Sequence, residues 1–200
     1  MTQNIITKQC DLLLLPVDAI VCSANNWLKL GTGIAGQIRK LGGDVIQDEC
    51  YKIIKENNGA IKIGEAVVTS SGELLSPSGY RKYIIHSVGM GYQRLINNQL
   101  CERILATPDT VFRAVTNALV LADKLQIQTL GFPLMCARRG YSIIEPNIAP
   151  RIMLLSMLSA MVKYKSKELR QIVICVDKIE LLNLGFKFLQ RNFPNSTSIS

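Results

Sequence analysis

The residues with the most chemical meaning in this chain are the glycine loop Gly31-Thr-Gly-Ile-Ala-Gly36, a G-x-G-x-x-G pattern. A dinucleotide-binding turn is the first reading of such a pattern, and it requires the first glycine to stand at the end of a strand. Here Ala24-Asn-Asn-Trp-Leu-Lys-Leu30 intervenes after the apolar run 17–23. The acid such a turn needs ~20 residues further on falls within 48–56, a helical pattern rather than a strand end. What the glycines retain is freedom for positive φ and close backbone approach, directly ahead of a helix beginning at Ile34. Small residues before a helix N-terminus make an anion site, because unpaired N–H groups and the positive end of the dipole meet there.

Other reactive side chains are sparse. His86 is the single histidine and lies in the mostly apolar run Tyr83-Ile-Ile-His-Ser-Val88, which makes it a hydrogen-bonded residue of a buried strand rather than the centre of a triad. The six cysteines, at 10, 22, 50, 101, 136 and 175, include no C-x-x-C pair, so no metal site is expected. Cys22 and Cys175 lie in apolar runs and read as small core residues. Cys136 has a helix start nearby but no base, so it is not assigned as a nucleophile. Trp27 and Glu65 are read as loop packing and as a solvent-facing or capping residue.

These groups need a scaffold, and the composition supplies one. Two hundred residues, 48% hydrophobic and 19% charged, suit one packed α/β domain and exclude a disordered chain. The longest nearly apolar run, 152–162, is too short for a bilayer span, which needs ~20 residues. The amino terminus carries no secretory pattern, and the cysteine usage points to a reduced, cytoplasmic setting. The net charge of +8 favours an anionic partner, nucleotide diphosphate or nucleic acid, while a spread-out charge reads first as a solvated basic surface.

Short β-branched runs predict buried strands at 17–23, 66–69, 83–88, 129–132 and 171–176, with a weaker one at 4–7. Helical spacing predicts helices over 34–41 and 44–55, one containing 111–122 after the start signal Thr107-Pro-Asp, then 150–164 and 181–191. Stretches 70–79 and 89–98, rich in turn formers, are expected to be the least regular, and 194–200 a frayed tail after a single domain over 1–193. Alternating strands and helices imply a mostly parallel sheet covered on both faces.

Blocks in one order along residues 8–178 then resemble a macrodomain. They are Asp18-Ala-Ile-Val-Cys-Ser-Ala-Asn25, the glycine loop, Leu41-Gly-Gly-Asp44 with 47–50, Gly64-Glu-Ala-Val-Val-Thr69, Tyr83-Ile-Ile-His-Ser-Val-Gly89, and Gly131-Phe-Pro133 with its following loop. The resemblance implies a three-layer α/β/α fold around a mixed, mostly parallel sheet. It also implies a cleft at the strand ends for ADP-ribose, free or on a protein; neither a cofactor nor a metal is expected. Asp11 matches the family's acceptor for the adenine amino group, with the Leu12 amide beside it; a turn or cap is the competing role for Asp11. Asn25 matches the asparagine at the distal ribose and is the one catalytic candidate. Gly31, Gly33, Ile34 and Ala35 match the first phosphate loop, and Cys136, Ala137, Arg138, Arg139, Gly140 and Tyr141 the second, whose consecutive amides form an anion-binding concavity.

Three departures shape the functional expectation. Ala35 and Arg39 stand where the best-studied hydrolase branch carries an acid and a histidine. Arg138 replaces a usual glycine, and it either grips the diphosphate or fills the ligand's space. Val176 stands where some members stack an aromatic on adenine. The expectation is an ADP-ribose-binding protein with, at most, slow hydrolysis of an ADP-ribosyl bond or of ADP-ribose 1''-phosphate. The alternative is an RNA or poly(ADP-ribose) binder that uses the basic surface without turnover.

Overall fold

The aliphatic runs become strands and the amphipathic segments between them helices in the computed structural model, which describes residues 3–74, 79 and 81–192. The strands are β1 (Asn4–Lys8), β2 (Ala19–Asn25), β3 (Ala66–Ser70), β4 (Tyr83–Ile96), β5 (Gln99–Ile104), β6 (Thr129–Pro133) and β7 (Gln171–Cys175). The helices are α1 (Gly33–Gly42), α2 (Asp44–Glu56), α3 (Pro108–Lys124), α4 (Ala149–Lys163) and α5 (Ile179–Asn192), with a short 3-10 turn at Leu12–Leu14. Each helix falls where hydrophobic spacing predicts it. At α3 the start signal acts as read: the Thr107 hydroxyl accepts from the Thr110 amide, the Thr110 hydroxyl accepts from the Thr107 amide, and Pro108 opens the first turn.

The sheet runs β1-β7-β6-β2-β4-β3, with β5 paired to the outer half of β4. β1–β7, β7–β6, β6–β2 and β2–β4 are parallel, while β3 and β5 run antiparallel to β4. This is the expected mixed, mostly parallel sheet. Side chains of β2 alternate between two cores. Ala19 and Val21 join the core under α3, α4 and α5, and Ile20, Cys22 and Ala24 join the core under α1 and α2. Three layers follow from that alternation. Helix α4, apolar nearly all round, packs against both α3 and α5 and buries Met153, Leu154, Met157, Leu158 and Met161.

The stretch 89–98 departs from the expectation of irregular structure. Strand β4 continues through it to Ile96 and turns back into β5, which the sequence reading did not contain. Gly89 and Gly91 are not turn formers there. A Cβ on Gly89 would stand 2.8 Å from the Cys136 sulfur, and one on Gly91 2.6 Å from the Asn26 amide, so both glycines admit a neighbour into the strand. The reversal itself comes at Asn97 and Asn98, both at positive φ, 47° and 62°, as a two-residue hairpin requires. Of the stretch 70–79, residues 75–78 lie outside the described residues, as does the tail 194–200.

His86 sits on β4, wholly buried, with Nε2 2.9 Å from the Thr69 hydroxyl and 3.7 Å from the Cys50 sulfur. Burial alone pulls its pKa from 6.5 down to about 4, so the folded protein holds it neutral. As pH falls, the unfolded chain takes up the proton first. Stability tied to His86 is therefore fully present above pH 6.5 and lost as pH drops towards 4. Urea denaturation of the wild type across this window is expected to lose on the order of 3 kcal/mol more than His86→Gln loses; parallel curves would show that His86 does not titrate with unfolding.

Candidate ligand cleft

Because β1, β7, β6 and β2 run the same way, their C-terminal ends lie on one edge of the sheet, where open α/β sheets place their ligands. The segments after these strands enclose a cleft of about 690 Å³, ordinary for a small-molecule site.

One end of the cleft combines apolar side chains with two carboxylates, Asp11 and Asp177. Leu12, Val176 and Pro150 line it, and Asp11 projects from the turn after β1. Asp11 also caps that turn, its Oδ1 accepting from the Leu13 amide at 2.9 Å. The cap and the cleft position thus coexist in one side chain, and one carboxylate has acceptor capacity for both.

The middle of the cleft is cationic, largely through backbone. Gly33 and Ile34, the first residues of α1, line it. The Thr32 hydroxyl makes no capping bond and the first turn holds no acid, so the helix presents its N–H groups and positive dipole end without compensation. Gly33 has φ 61°, and Arg138 Nη1 lies 3.3 Å from where its Cβ would be. Glycine here serves both the turn and the room that the guanidinium occupies. Arg138 thereby reaches from the second loop to the first, and Arg139 and Ala137 line the same wall.

Beyond Arg138 a smaller hollow of about 130 Å³ continues under both loops, lined by Ser23, Thr32, Cys136 and Tyr141 and sharing Gly33, Ile34, Ala137 and Arg138 with the main cleft. Cys136 is buried beside the Ser23 hydroxyl, 3.9 Å away. Burial pushes its thiol up to about 12, the opposite of an activated nucleophile.

Four residues assigned from sequence lie outside the lining of both hollows. Asn25 turns back on its own loop: its Nδ2 donates to the Lys29 carbonyl at 2.9 Å, and its Oδ1 accepts from the amides of Trp27 and Lys29. Ala35 is buried within α1. Gly31 lines a separate shallow hollow with Arg39 and Asp44, and Arg39 is paired to Asp44 at 2.7 Å. The Gly140 carbonyl accepts from Arg103 Nη1 at 2.8 Å. That arginine also lies over the rings of Tyr92 and Tyr141, 5.6 and 5.1 Å from their centroids, and so fastens the second loop to the β4–β5 hairpin.

Several lining residues were not assigned from sequence: Gln9, Cys10 and Gln37, then Cys175, Asp177 and Lys178 in the cleft, with Ser23 and Thr32 in the hollow. Asp177 and Lys178 directly follow a parallel strand, and that placement was the available signal. Among the described residues, no cluster of three or more His, Cys, Asp or Glu side chains is placed to hold a metal, and no helix is long and apolar enough to cross a membrane.

The model of the Macro domain family matches residues 21–145. The chain belongs to the macrodomain family. A protein of Saccharolobus solfataricus is 32% identical over 167 residues, 83% of this macrodomain and 81% of that protein. A Thermotoga maritima protein is 39% identical over 58% of this chain, a match that spans only 17% of that protein's length. O-acetyl-ADP-ribose deacetylase 1 of Pantoea vagans is 34% identical over 66% of this chain and 68% of its own. Among solved structures, a mutant Oceanobacillus iheyensis macrodomain with ADPR superposes with a TM-score of 0.69 at 19% identity, covering 96% of this chain and 93% of that one. The fold is therefore shared with macrodomains over nearly the whole chain.

In this macrodomain Asn26 fastens the β4–β5 hairpin to the loop after β2. The Asn26 side chain donates to the Tyr92 carbonyl at 2.9 Å and accepts from the Tyr92 amide at 2.8 Å, which holds the hairpin against the loop after β2. Asn26→Ala leaves the Tyr92 amide orphaned and is expected to cost about 1–3 kcal/mol in urea denaturation; a loss within error of zero would assign the hairpin's position to other contacts.

Proposed function

We propose that this macrodomain binds ADP-ribose, free or attached to a protein, along the cleft from Asp11 to the hollow under Tyr141. The observation that carries the reading is the order of chemistries along one cleft: a carboxylate on an apolar wall, then uncapped helix amides with a guanidinium, then a small hollow with hydroxyls. A nucleoside with a donor amine, a diphosphate and a second sugar have that same order. Carboxylates accept from an exocyclic amine, helix N-termini and arginine stabilise phosphate oxygens, and hydroxyls suit a ribose. The ADPR held by the Oceanobacillus macrodomain supports the same ligand class. In this reading the single domain over 1–193 acts as one unit.

The reading assigns binding more strongly than turnover. General acid–base work needs a titratable group within reach of the reacting bond. Arg39 is engaged with Asp44, His86 is in the core, and the Asn25 amide is spent on its own loop. A substrate phosphate acting as its own base leaves slow hydrolysis open. The name of the Pantoea relative adds an acetyl ester of ADP-ribose to the candidate substrates.

Titration calorimetry is expected to give a 1:1 isotherm with ADP-ribose, weaker binding with AMP, and weaker binding still after Asp11→Ala. The charge-assisted bond to the adenine amine predicts a loss of about tenfold or more. Arg138→Ala is expected to weaken ADP-ribose more than AMP and to flatten the salt dependence; tighter binding instead would mean that Arg138 fills the diphosphate position. No heat with millimolar ADP-ribose overturns the reading, and steep salt-dependent RNA binding in its place supports the alternative. Time courses on mono-ADP-ribosylated protein, ADP-ribose 1''-phosphate and O-acetyl-ADP-ribose are expected to be slow. Rapid turnover lost in Asn25→Ala would restore that asparagine to the reacting centre.

A further inference from the structure

Two thiols meet at the apolar end of the cleft. Cys175 ends β7, and Cys10 follows β1 by two residues; the strands pair in parallel with Lys8 opposite Cys175. The two sulfurs lie 2.7 Å apart although the residues are 165 positions apart in sequence. A covalent S–S bond is less than about 1 Å shorter than this separation. Both side chains line the cleft, Cys10 half-buried and Cys175 buried. The other four thiols are placed differently: Cys22, Cys50 and Cys136 are in the interior, and Cys101 lies on the outer hairpin.

We propose that Cys10 and Cys175 form a thiol–disulfide exchange site that takes a low-molecular-weight disulfide and ends as an intramolecular disulfide across this end of the cleft. The more exposed Cys10 reacts first. Its thiolate attacks one sulfur of the small disulfide, the S–S bond of the reagent breaks, and one small thiolate leaves carrying the bond's electron pair. Cys175 is held back as first nucleophile, since burial and the neighbouring Cys10 both raise its thiol. Once Cys10 carries the mixed disulfide, Cys175 gives up its proton and attacks the Cys10 sulfur, and the second small thiolate leaves. Two protein thiols are oxidised, one small disulfide is reduced to two thiols, and the two cysteine protons end on them. The product ties the exits of β1 and β7 together immediately before Asp11 and Val176. The site stands on the sulfur geometry alone and does not depend on what the cleft binds.

The test is incubation of the reduced native protein with oxidised glutathione, followed by alkylation in denaturant and peptide mapping. The expected product is 2 Da lighter than the dithiol by the loss of two hydrogens, with tryptic peptides 9–29 and 171–178 joined through Cys10 and Cys175 and with Cys22 alkylated. The oxidised protein should melt higher than the reduced one, as a cross-link closing a long loop constrains the unfolded chain, and dithiothreitol should reverse both changes. Cys175→Ser should stop at the glutathione adduct on Cys10, and Cys10→Ser should remain unreacted at position 175. A stable glutathione adduct on the wild type, full alkylation of both residues, or a cross-link to Cys22 overturns the proposal.

Discussion

The position of β2 is the constraint on which the rest of the molecule depends. It lies between β6 and β4, parallel to both, so its backbone is paired on either side and its side chains enter both cores. From Ala19 to Cys22 no side chain is exposed to solvent. A strand paired and packed on every side leaves its neighbours little freedom of register. With β1, β7 and β6 running in the same direction, all their exits open on one edge, and the first turn of α1 is delivered there as well. The cleft is less an addition to the fold than the place where parallel strands stop.

What that edge offers is mainly backbone polarity. The cationic centre of the cleft rests on N–H groups of α1 that no side chain caps, and such groups bring no titration of their own. Arg138 is the chief mobile charge added to them, and it bridges the two loops because Gly33 leaves it room. Of the side chains with acid–base capacity, His86 is drawn to the core beside Thr69 and Asp44 to Arg39, while Asp11 and Asp177 line the cleft. The arrangement is suited to holding an anion in a fixed orientation.

Much of this was legible in the sequence, because parallel strands buried on two faces must be written as short aliphatic runs, and β2, β4, β6 and β7 are. The helix start at Gly33 and Ile34 was equally readable from glycine before a helical pattern. What escaped was structure held by contacts distant in sequence. β5 is polar and half-exposed, with a burial pattern that carries no alternation of its own, and Asn97-Asn98 was the one local sign of its hairpin. Gly89 and Gly91 looked like punctuation because the partners they admit, Cys136 and Asn26, lie 47 and 65 positions away. The Asn25 amide was assigned outward from its place in a motif, while its direction was decided by the Lys29 backbone. Cys175 read as a small core residue and Cys10 carried no reading of its own, and only the pairing of the first and last strands brings them together.

The second loop is steadied from outside itself. Arg103, borne on the hairpin, donates to the Gly140 carbonyl and lies over the rings of Tyr92 and Tyr141, so the loop's path is fixed at its far end by a residue that does not line the cleft. Positions 137 to 139 are thereby released from the task of holding the loop's shape. Replacement at 138 can alter what the cleft prefers without unmooring the wall that carries it. Heritable variation in what the cleft prefers can accumulate there, while the hairpin, which lines neither hollow, is the part that must stay the same.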